Sequence, residues 1–295
     1  MSQVHGWVIL NKPAGKSSTF ASSYVKRKLK SKKAGHAGTL DPFASGVLPI
    51  ALGEATKTIP YLMTDDKAYE FEVVWGESRD TDDLTGEIVR SGGITPDANA
   101  IREVLPDFVG DIAQKPPVYS AIKIAGKRLY KRARHGEEID LDDIPTKQVM
   151  VKSLQLLSHN NVKSKFYVEC GSGMYVRSLA RDIARKLSTF AYVDSLCRTR
   201  VGKFTLADTI LLEKFDKMSH NTSVGDFLLP VRSVLDDIPA VPISEQEESQ
   251  VRNGMAIPAC ETSSALVALC QGSRLVAIAN NIEDCFKPVR VFNIF

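Results

Sequence analysis

The segment from Gly35 to Pro42 constrains the fold of this chain most, because it reads Gly-His-Ala-Gly-Thr-Leu-Asp-Pro. Glycine permits backbone conformations that other residues avoid, and proline removes a hydrogen-bond donor. Proline also pushes the residue before it, here Asp41, into an extended conformation. We therefore predict a loop of fixed shape over residues 35–42, with Asp41 held at its end.

Strand patterns and helix patterns both occur outside this loop. Residues 69–75 alternate apolar and polar side chains, which predicts a strand with one buried face. Residues 166–170 predict another strand, and the apolar side chains of residues 176–187 recur at helical spacing. The acidic segment 77–86 is typical of a solvated loop, because Leu84 and Thr85 stand where a calcium loop needs ligands.

The C-terminal part of the chain differs from the rest. Three prolines between residues 227 and 242 interrupt the pattern and predict a domain boundary. Ser244 and Glu247 form the sequence signature of a capped helix, and short strand patterns follow it. We predict a large domain over residues 1–235 and a small, mainly β domain over residues 240–295.

Composition excludes several classes of protein. Hydrophobic residues make up 43% and charged residues 25% of the 295 residues, which favours a folded globular protein over a disordered or fibrous one. The longest apolar runs fall far short of a membrane span, and residues 7–10 are too short for a secretion signal. The five cysteines lack a Cys-x-x-Cys pair, which indicates a reducing cytoplasm without disulfides or structural zinc.

The basic residues are concentrated in two segments, although the net charge is only +3. Residues 1–40 contain no acidic side chain and carry Lys12, Lys16, Lys26, Arg27, Lys28, Lys30, Lys32 and Lys33. Residues 112–136 are also free of acidic side chains and include Lys123, Lys127 and Arg128. The two segments together could bind the phosphate backbone of a nucleic acid. Alternatively, each segment is only a charged face exposed to solvent.

Asp41 is the first candidate for chemistry. An Asp-Pro pair is often only a turn, but this one follows a basic segment directly. A carboxylate has no evident binding role beside a phosphate-binding surface, so covalent or acid-base work on a bound nucleic acid explains it better.

Three further side chains could complete a site around Asp41. Arg177, at the start of the predicted helix, could keep the carboxylate ionised, although a solvated helix arginine is the alternative. Tyr69 could stack on an extruded base or be a core tyrosine. His36 could fill the gap that a flipped base leaves, or have only solvent around it.

Gly15-Lys16-Ser17 suggests a nucleotide phosphate loop. That motif needs a glycine at position 10, where Leu10 stands, and Pro13 lies where free N–H groups should surround phosphate. The sequence thus favours a nucleic-acid-modifying enzyme over a nucleotide hydrolase. A non-catalytic RNA-binding protein remains the second hypothesis.

Several motifs carry a resemblance to a known family. The run from Gly35 to Pro49, followed by Gly53-Glu54-Ala55-Thr56-Lys57, resembles the signature of the TruB family of tRNA pseudouridine synthases. Further segments similar to that family's motifs are Asn11–Gly15, Lys67–Tyr69, Tyr119–Lys123, Gly126–Tyr130 and Gly173–Leu179. The resemblance extends over essentially the whole chain. The departures are Asn11, Phe43 and Cys197, where the family often has aspartate, leucine and arginine.

This resemblance implies an α+β fold, with a central, mainly antiparallel mixed β-sheet flanked by helices and loops. It also implies an RNA-gripping insertion over about residues 115–147 and a C-terminal domain similar to a PUA domain. The implied reaction converts the T-loop uridine at position 55 of tRNA to pseudouridine without a cofactor, a nucleotide or a metal. The implied partner is tRNA, bound at its T-arm and, through the C-terminal domain, on its acceptor side, by a monomeric enzyme.

The resemblance also assigns roles to residues. Asp41 corresponds to the nucleophile, Tyr69 to the residue that stacks on the flipped base and accepts a proton, and Arg177 to the partner of Asp41. The residues that correspond to RNA contacts are His36, Lys12, Lys123, Lys127, Arg128 and Tyr175.

Overall fold

A large mixed β-sheet forms the body of the protein. The computed structural model describes residues 4–120, 122–124, 126–135, 137, 139, 143–217 and 224–294. The strands of this sheet are β1 (Gly6–Lys12), β2 (Ala34–His36), β3 (Ser45–Leu52), β4 (Lys67–Trp75), β7 (Gly110–Gln114), β10 (Lys147–His159), β11 (Lys163–Cys170), β12 (Ala191–Val201), β13 (Phe204–Thr205) and β14 (Ile210–Leu211).

Antiparallel neighbours predominate in the sheet, whose order is β14-β1-β3-β12-β4-β11-β10-β7. β2 pairs with β3, and β13 pairs with β12. Within this sheet, as far as the structure describes it, the β14–β1 and β3–β12 pairs are parallel and the other pairs are antiparallel. The expected α+β fold with a mainly antiparallel mixed sheet is therefore confirmed.

Helices and two small hairpins surround this sheet. The helices are α1 (Ser18–Lys28), α2 (Ile59–Met63), α3 (Ala98–Val104), α4 (Leu129–Arg134), α5 (Val176–Lys186) and α6 (Glu245–Arg252). The hairpins are formed by β5 (Glu77–Arg79) with β6 (Ile88–Ser91), and by β8 (Lys123–Ile124) with β9 (Lys127–Arg128). Within the described ranges, no helix is long and apolar enough to cross a membrane.

The two faces of the sheet are buried in different clusters. Strand β1 shows the alternation: Val8 and Leu10 pack into one cluster, and Trp7 and Ile9 pack into the other. Side chains of α1 and α5 cover the first cluster. Because successive side chains of a strand point to opposite faces, four adjacent apolar residues can serve both clusters.

A separate five-stranded sheet follows residue 239. Its order is β15-β17-β18-β19-β16, with β15 (Ala240–Pro242), β16 (Ile257–Pro258), β17 (Leu266–Gln271), β18 (Arg274–Ile282) and β19 (Cys285–Val291). The predicted capping box is present, since the Ser244 side chain accepts from the Glu247 amide and the Glu247 carboxylate accepts from Ser244. Val267, Val276 and Phe286 belong to a core of its own.

The predicted loop over residues 35–42 is shorter than the sequence suggests. Residues 34–36 form β2, in register with Leu52, Ala51 and Ile50 of β3. Pairing with an existing sheet edge outweighs the local preference of Gly35 for irregular structure, because each backbone group gains a partner. The loop proper begins at residue 37.

Gly46 allows β3 and β12 to approach each other beneath this loop. Its φ is +103°, and it lies in register with Arg198 of β12. A Cβ at this position would lie 2.8 Å from the Arg198 amide nitrogen and closer still to its carbonyl oxygen. A side chain here would therefore both strain the backbone and push the two strands apart.

We expect Gly46→Ala to lower the free energy of unfolding by about 3 kcal/mol, combining backbone strain with overpacking. Gly110→Ala is the matched control, because Gly110 has a φ of +97° and nothing within 4 Å of its added Cβ. That variant should lose only about 1 kcal/mol, from strain alone. Urea unfolding of both variants measures the difference, and equal losses would show that the close approach has no energetic effect.

Candidate active site

Asp41 lies in a loop that is fastened to the start of α1. The Ser18 hydroxyl donates to the Leu40 carbonyl and accepts from the Leu40 amide, both at 2.9 Å. The Gly15 amide donates to the Pro42 carbonyl at 2.8 Å. The backbone on both sides of Asp41 is thus fixed, and the carboxyl has a defined position.

Lys12 supports this loop from inside the protein. The residue is fully buried, and its Nζ donates to the carbonyls of Pro13 at 3.0 Å, Lys16 at 2.6 Å and Pro42 at 3.3 Å. Burial lowers the pKa of Lys12 to about 8, with the Asp41 carboxylate opposing. The structure therefore does not place Lys12 where it could contact an RNA phosphate, contrary to the expectation from the sequence. A run of basic residues in a sequence does not by itself show that each of its side chains is exposed.

Arg177, near the start of α5, connects Asp41 to two other segments. Its Nε lies 2.9 Å from Asp41 Oδ2, and its Nη1 lies 3.4 Å from Asp83 Oδ2. Nη1 also donates to the Thr81 carbonyl at 2.8 Å, and Nη2 donates to the Tyr119 carbonyl at 3.1 Å. The side chain is only 4% exposed, so its charge is balanced by these groups rather than by water.

The surroundings of the Asp41 carboxyl shift its pKa in opposite directions. Burial raises its pKa, the Arg177 guanidinium lowers it, and the Asp83 carboxylate raises it further, with a net shift above the usual value. The side chain is still 35% exposed, so the carboxyl can be reached from outside. Arg177 favours the ionised form as the sequence predicts, but burial outweighs it.

The interpretation of segment 77–86 as a solvated loop is wrong for Asp82 and Asp83, which are partly or wholly buried. The Oδ1 atom of Asp83 accepts from the Thr81 hydroxyl at 2.8 Å and from the Thr85 amide and hydroxyl at 3.0 and 2.6 Å. Asp82 Oδ2 lies 3.0 Å from Nη1 of Arg181. The arginines that bind these carboxylates lie on α5, far along the chain, so the local sequence held no signal for their burial.

Tyr69 and Arg198 lie side by side on neighbouring strands. They are register partners on β4 and β12, and both are buried. The Arg198 guanidinium donates from Nε to the Val47 carbonyl at 2.8 Å and from Nη2 to the Gly38 carbonyl at 2.9 Å. Burial raises the pKa of Tyr69, and the Arg198 charge opposes this rise.

Sequence reasoning missed Arg198 as a site residue. It occurs in a strand among polar and charged residues, where an arginine is typically exposed. Its burial depends on carbonyls that β3 and the loop after β2 supply, and no local pattern indicates these contacts.

Tyr175 immediately precedes α5 and is fixed by Gln114, a residue that the sequence did not single out. The Gln114 side chain accepts from the Tyr175 amide at 2.8 Å and donates to its carbonyl at 3.1 Å. Burial raises the pKa of Tyr175, with Arg177 and Asp41 close enough to influence it. Tyr175 therefore lies at the same site as the Asp41–Arg177 pair.

His36 ends β2 and is partly buried rather than surrounded by solvent. Its Nδ1 lies 3.1 Å from the Ser22 hydroxyl on α1, and its Nε2 lies 3.1 Å from the Thr39 hydroxyl. Burial and the Arg198 charge lower the pKa of His36. The imidazole therefore favours its neutral form at neutral pH.

The predicted insertion at about residues 115–147 includes the β8–β9 hairpin and α4. Lys127 is exposed on this hairpin, whereas the side chains of Lys123 and Arg128 lie outside the part that the structure describes. The insertion begins next to the site, because the Tyr119 carbonyl accepts from Arg177.

These contacts define a centre for nucleophilic or acid-base work. A reachable carboxyl lies against a buried guanidinium. Arg198 holds the loop that carries this carboxyl and is the register partner of the buried Tyr69. A carboxylate held in this way can attack an electrophilic carbon or move a proton.

Comparison with solved structures shows the class of protein that has this fold. A protein of an H/ACA RNP bound to a substrate RNA containing 2'-deoxyuridine aligns with a TM-score of 0.70 and 23% identity, covering 97% of this chain and 84% of that chain. A Cbf5–Nop10–Gar1 complex gives a TM-score of 0.68 and 25% identity, covering 98% and 84%. The fold is that of the pseudouridine synthases.

Sequence comparison then gives the family. The N-terminal domain of TruB family pseudouridylate synthase matches residues 26–176, and the C-terminal domain of tRNA pseudouridylate synthase B matches residues 177–236. The chain belongs to the TruB family of pseudouridylate synthases. The separate sheet after residue 239 lies beyond both matches.

Relatives match over nearly the whole chain. The tRNA pseudouridine synthase B of Sinorhizobium medicae is 46% identical, covering 98% of this chain and 96% of the relative. That of Rhodopseudomonas palustris is 45% identical, covering 99% and 81%.

We expect Arg177→Gln to reduce the rate of pseudouridine formation on the order of 100-fold, because it removes a fixed charge from the Asp41 carboxyl. It should also lower the free energy of unfolding by about 3 kcal/mol, since buried Asp83 loses its partner. Single-turnover assays and urea unfolding measure the two effects.

Arg181→Gln is the matched control for this variant. Arg181 lies one turn further along α5 and pairs with Asp82, so its loss should destabilise the fold and leave most of the rate. If the two variants formed pseudouridine at comparable rates, the Asp41–Arg177 ion pair would have no specific role in catalysis.

Proposed function

We propose that this enzyme converts the T-loop uridine at position 55 of tRNA to pseudouridine, with Asp41 acting on a base flipped out of the RNA. The observation that supports this proposal is the 2.9 Å ion pair between Asp41 and the buried Arg177. The tRNA substrate follows the names of the relatives, and the T-loop position follows the motifs around Asp41.

The reaction needs no oxidant and no energy source. The bond between uracil N1 and ribose C1′ breaks, the base turns within the site, and a bond forms between C5 and C1′. The proton on C5 is removed and N1 gains a proton, so atoms and electrons balance within the substrate. An ionised Asp41 can assist by attacking ribose C1′ or the base ring, and Arg177 stabilises it in either case.

Tyr69 is placed to stack on the turning base and to accept the proton from C5. Its ring is buried, which suits contact with an aromatic base, and Arg198 is its register partner on β12. Burial raises the pKa of Tyr69, and the Arg198 charge offsets part of the cost of forming the phenolate that accepts the proton.

RNA binding involves residues around the opening of this site. We assign to it Tyr175 at the start of α5 and the insertion that carries Lys123, Lys127 and Arg128. His36 enters the space that the flipped uridine leaves, which requires it to exchange the Ser22 and Thr39 hydroxyls for RNA groups. Lys12 acts indirectly, through the loop that it supports.

The sheet that follows residue 239 serves as a PUA-like domain for the acceptor side of tRNA. It has a core of its own, and Ala268, Leu275 and Ile278 also pack into the cluster that includes Trp7 and Ile9 of β1. We further propose that the enzyme acts as a monomer in the cytoplasm. The tRNA-recognition surface then lies within one chain.

Asp41→Asn tests the proposed chemistry. The amide nearly preserves the shape of the carboxyl but cannot act as a nucleophile, so pseudouridine formation should fall below detection while the Kd for an unmodified tRNA transcript changes less than threefold. Mapping pseudouridine by position in that transcript also tests the predicted target.

Asp82→Asn is the control, because Asp82 pairs with Arg181 one turn from the site, and this variant should keep its activity. Modification by Asp41→Asn at the wild-type rate would rule out the mechanism. Tight tRNA binding without any modification by the wild-type protein would favour the non-catalytic alternative.

The rate of modification should also depend on pH through Asp41. Its pKa is raised above the ordinary value of 3.8, and only the ionised form is active, so the rate falls as pH drops through that raised pKa. We expect an acidic limb with a midpoint above 3.8 in single-turnover assays. Arg177→Gln removes the main opposing charge and should move this limb to higher pH. A limb that stays in place in that variant would contradict the assignment.

A further inference from the structure

The exposed side of α1 carries a row of side chains that the proposed chemistry does not use. Phe20, Tyr24 and Lys28 are spaced four residues apart and therefore lie along one face of α1. Lys16 precedes the N-cap Ser17 and lies against the Phe20 ring. The Phe20 and Tyr24 rings stack with their centroids 6.0 Å apart and their planes at 27°. Phe20 is 43% exposed. We refer to these four residues as the α1 ridge.

Cations lie against both rings of the ridge. Lys16 Nζ is 5.2 Å from the centre of the Phe20 ring, and Lys28 Nζ and the Arg27 guanidinium are each 5.4 Å from the centre of the Tyr24 ring. A single exposed phenylalanine needs no explanation. Two stacked rings with positive charge at both ends form a more specific surface.

The balance of charge on the ridge is positive. Residues 4–40 contain no aspartate or glutamate. Asp216 is the acidic group that the structure places against the ridge, where it accepts from the Tyr24 hydroxyl and lies 2.8 Å from Lys28 Nζ. Lys16 and Arg27 add to this pair, so the ridge favours an anionic partner.

The ridge begins at the loop that carries Asp41. The Lys12 Nζ bridges the carbonyls of Lys16 and Pro42, and Ser18 is hydrogen-bonded to Leu40. The helical rise from Ser18 to Lys28 amounts to about 15 Å. The ridge therefore starts where the loop that carries Asp41 is fastened to α1.

We propose that the α1 ridge binds unpaired nucleotides of the RNA that adjoin the flipped uridine. Phe20 and Tyr24 stack on a base, and Lys16, Arg27 and Lys28 contact the flanking phosphates. Aromatic rings among cations are the chemistry by which proteins bind single-stranded nucleic acid without reading its sequence. This proposal rests on the proposed function in one respect, which is that the RNA bound by the ridge is the substrate of the enzyme.

Phe20→Leu tests the stacking, because it keeps an apolar side chain of similar reach and removes the ring. We expect its Kd for an unmodified tRNA transcript to rise about tenfold, within the range of one lost base stack. The tRNA concentration that gives half the maximal rate should rise by the same factor. Phe20→Tyr keeps the ring and is the matched control, which should bind as the wild type does.

The salt dependence of binding tests the charges. Lys16→Gln and Lys28→Gln should each reduce the slope of log K against log salt concentration by about 0.7 to 0.9, the value of one phosphate contact. Lys186→Gln is the control, since Lys186 is 54% exposed at the end of α5, where it pairs with Asp107. Its slope should equal that of the wild type.

The possible outcomes distinguish a failure of the α1 ridge proposal from a failure of the proposed function. A wild-type Kd for Phe20→Leu, with an unchanged thermal midpoint and normal pseudouridine formation, would overturn the ridge and leave the proposed function intact. If the salt slope stayed unchanged in both lysine variants, the ridge would not contact phosphates. The partner of the ridge would then be an acidic protein and not RNA. Weakened RNA binding by the ridge variants of a protein that makes no pseudouridine would support the ridge and refute the proposed function.

Discussion

The site depends on one buried guanidinium, that of Arg177. A cation at the N-terminal end of a helix opposes the helix dipole, and its burial costs hydration as well. Asp41 and Asp83 offset these costs, together with the carbonyls of Thr81 and Tyr119. Three segments of the chain thus meet α5 at one side chain. Because the loss of any partner leaves charge uncompensated, they form one cooperative unit.

Arg198 has the corresponding role beneath the loop. It contacts the carbonyls of Gly38 and Val47, which lie on either side of Asp41 in the sequence, and it is the register partner of Tyr69. β12, which carries Arg198, is paired along its length with β4, which carries Tyr69. The carboxyl and the ring therefore keep their relative positions, as a reaction that turns a base between them requires.

The sequence predicts those parts of the site whose signal is local. The glycines and proline around Asp41, the alternation that begins at Tyr69 and the helix after Gly173 all indicate their own structure. Asp83 and Arg198 could not be predicted in this way, because each is buried by groups far away in the sequence. Lys12 shows the opposite error, since the run of basic residues predicts a charged surface and one of its members is buried. Pairing in a sheet likewise turned the start of the predicted loop into β2.

The cations of this enzyme fall into two groups with different electrostatic consequences. Arg177 is buried, Arg181 is partly buried, and both are matched by Asp41, Asp82 and Asp83. The reacting centre therefore carries little net positive charge and is poorly screened by salt. The exposed lysines and arginines of residues 26–33 have no acidic neighbour in their own segment. Their interactions with an anion are long-range and salt-sensitive. Capture of RNA and chemistry on its base can therefore respond to ionic strength independently, because different charges carry them.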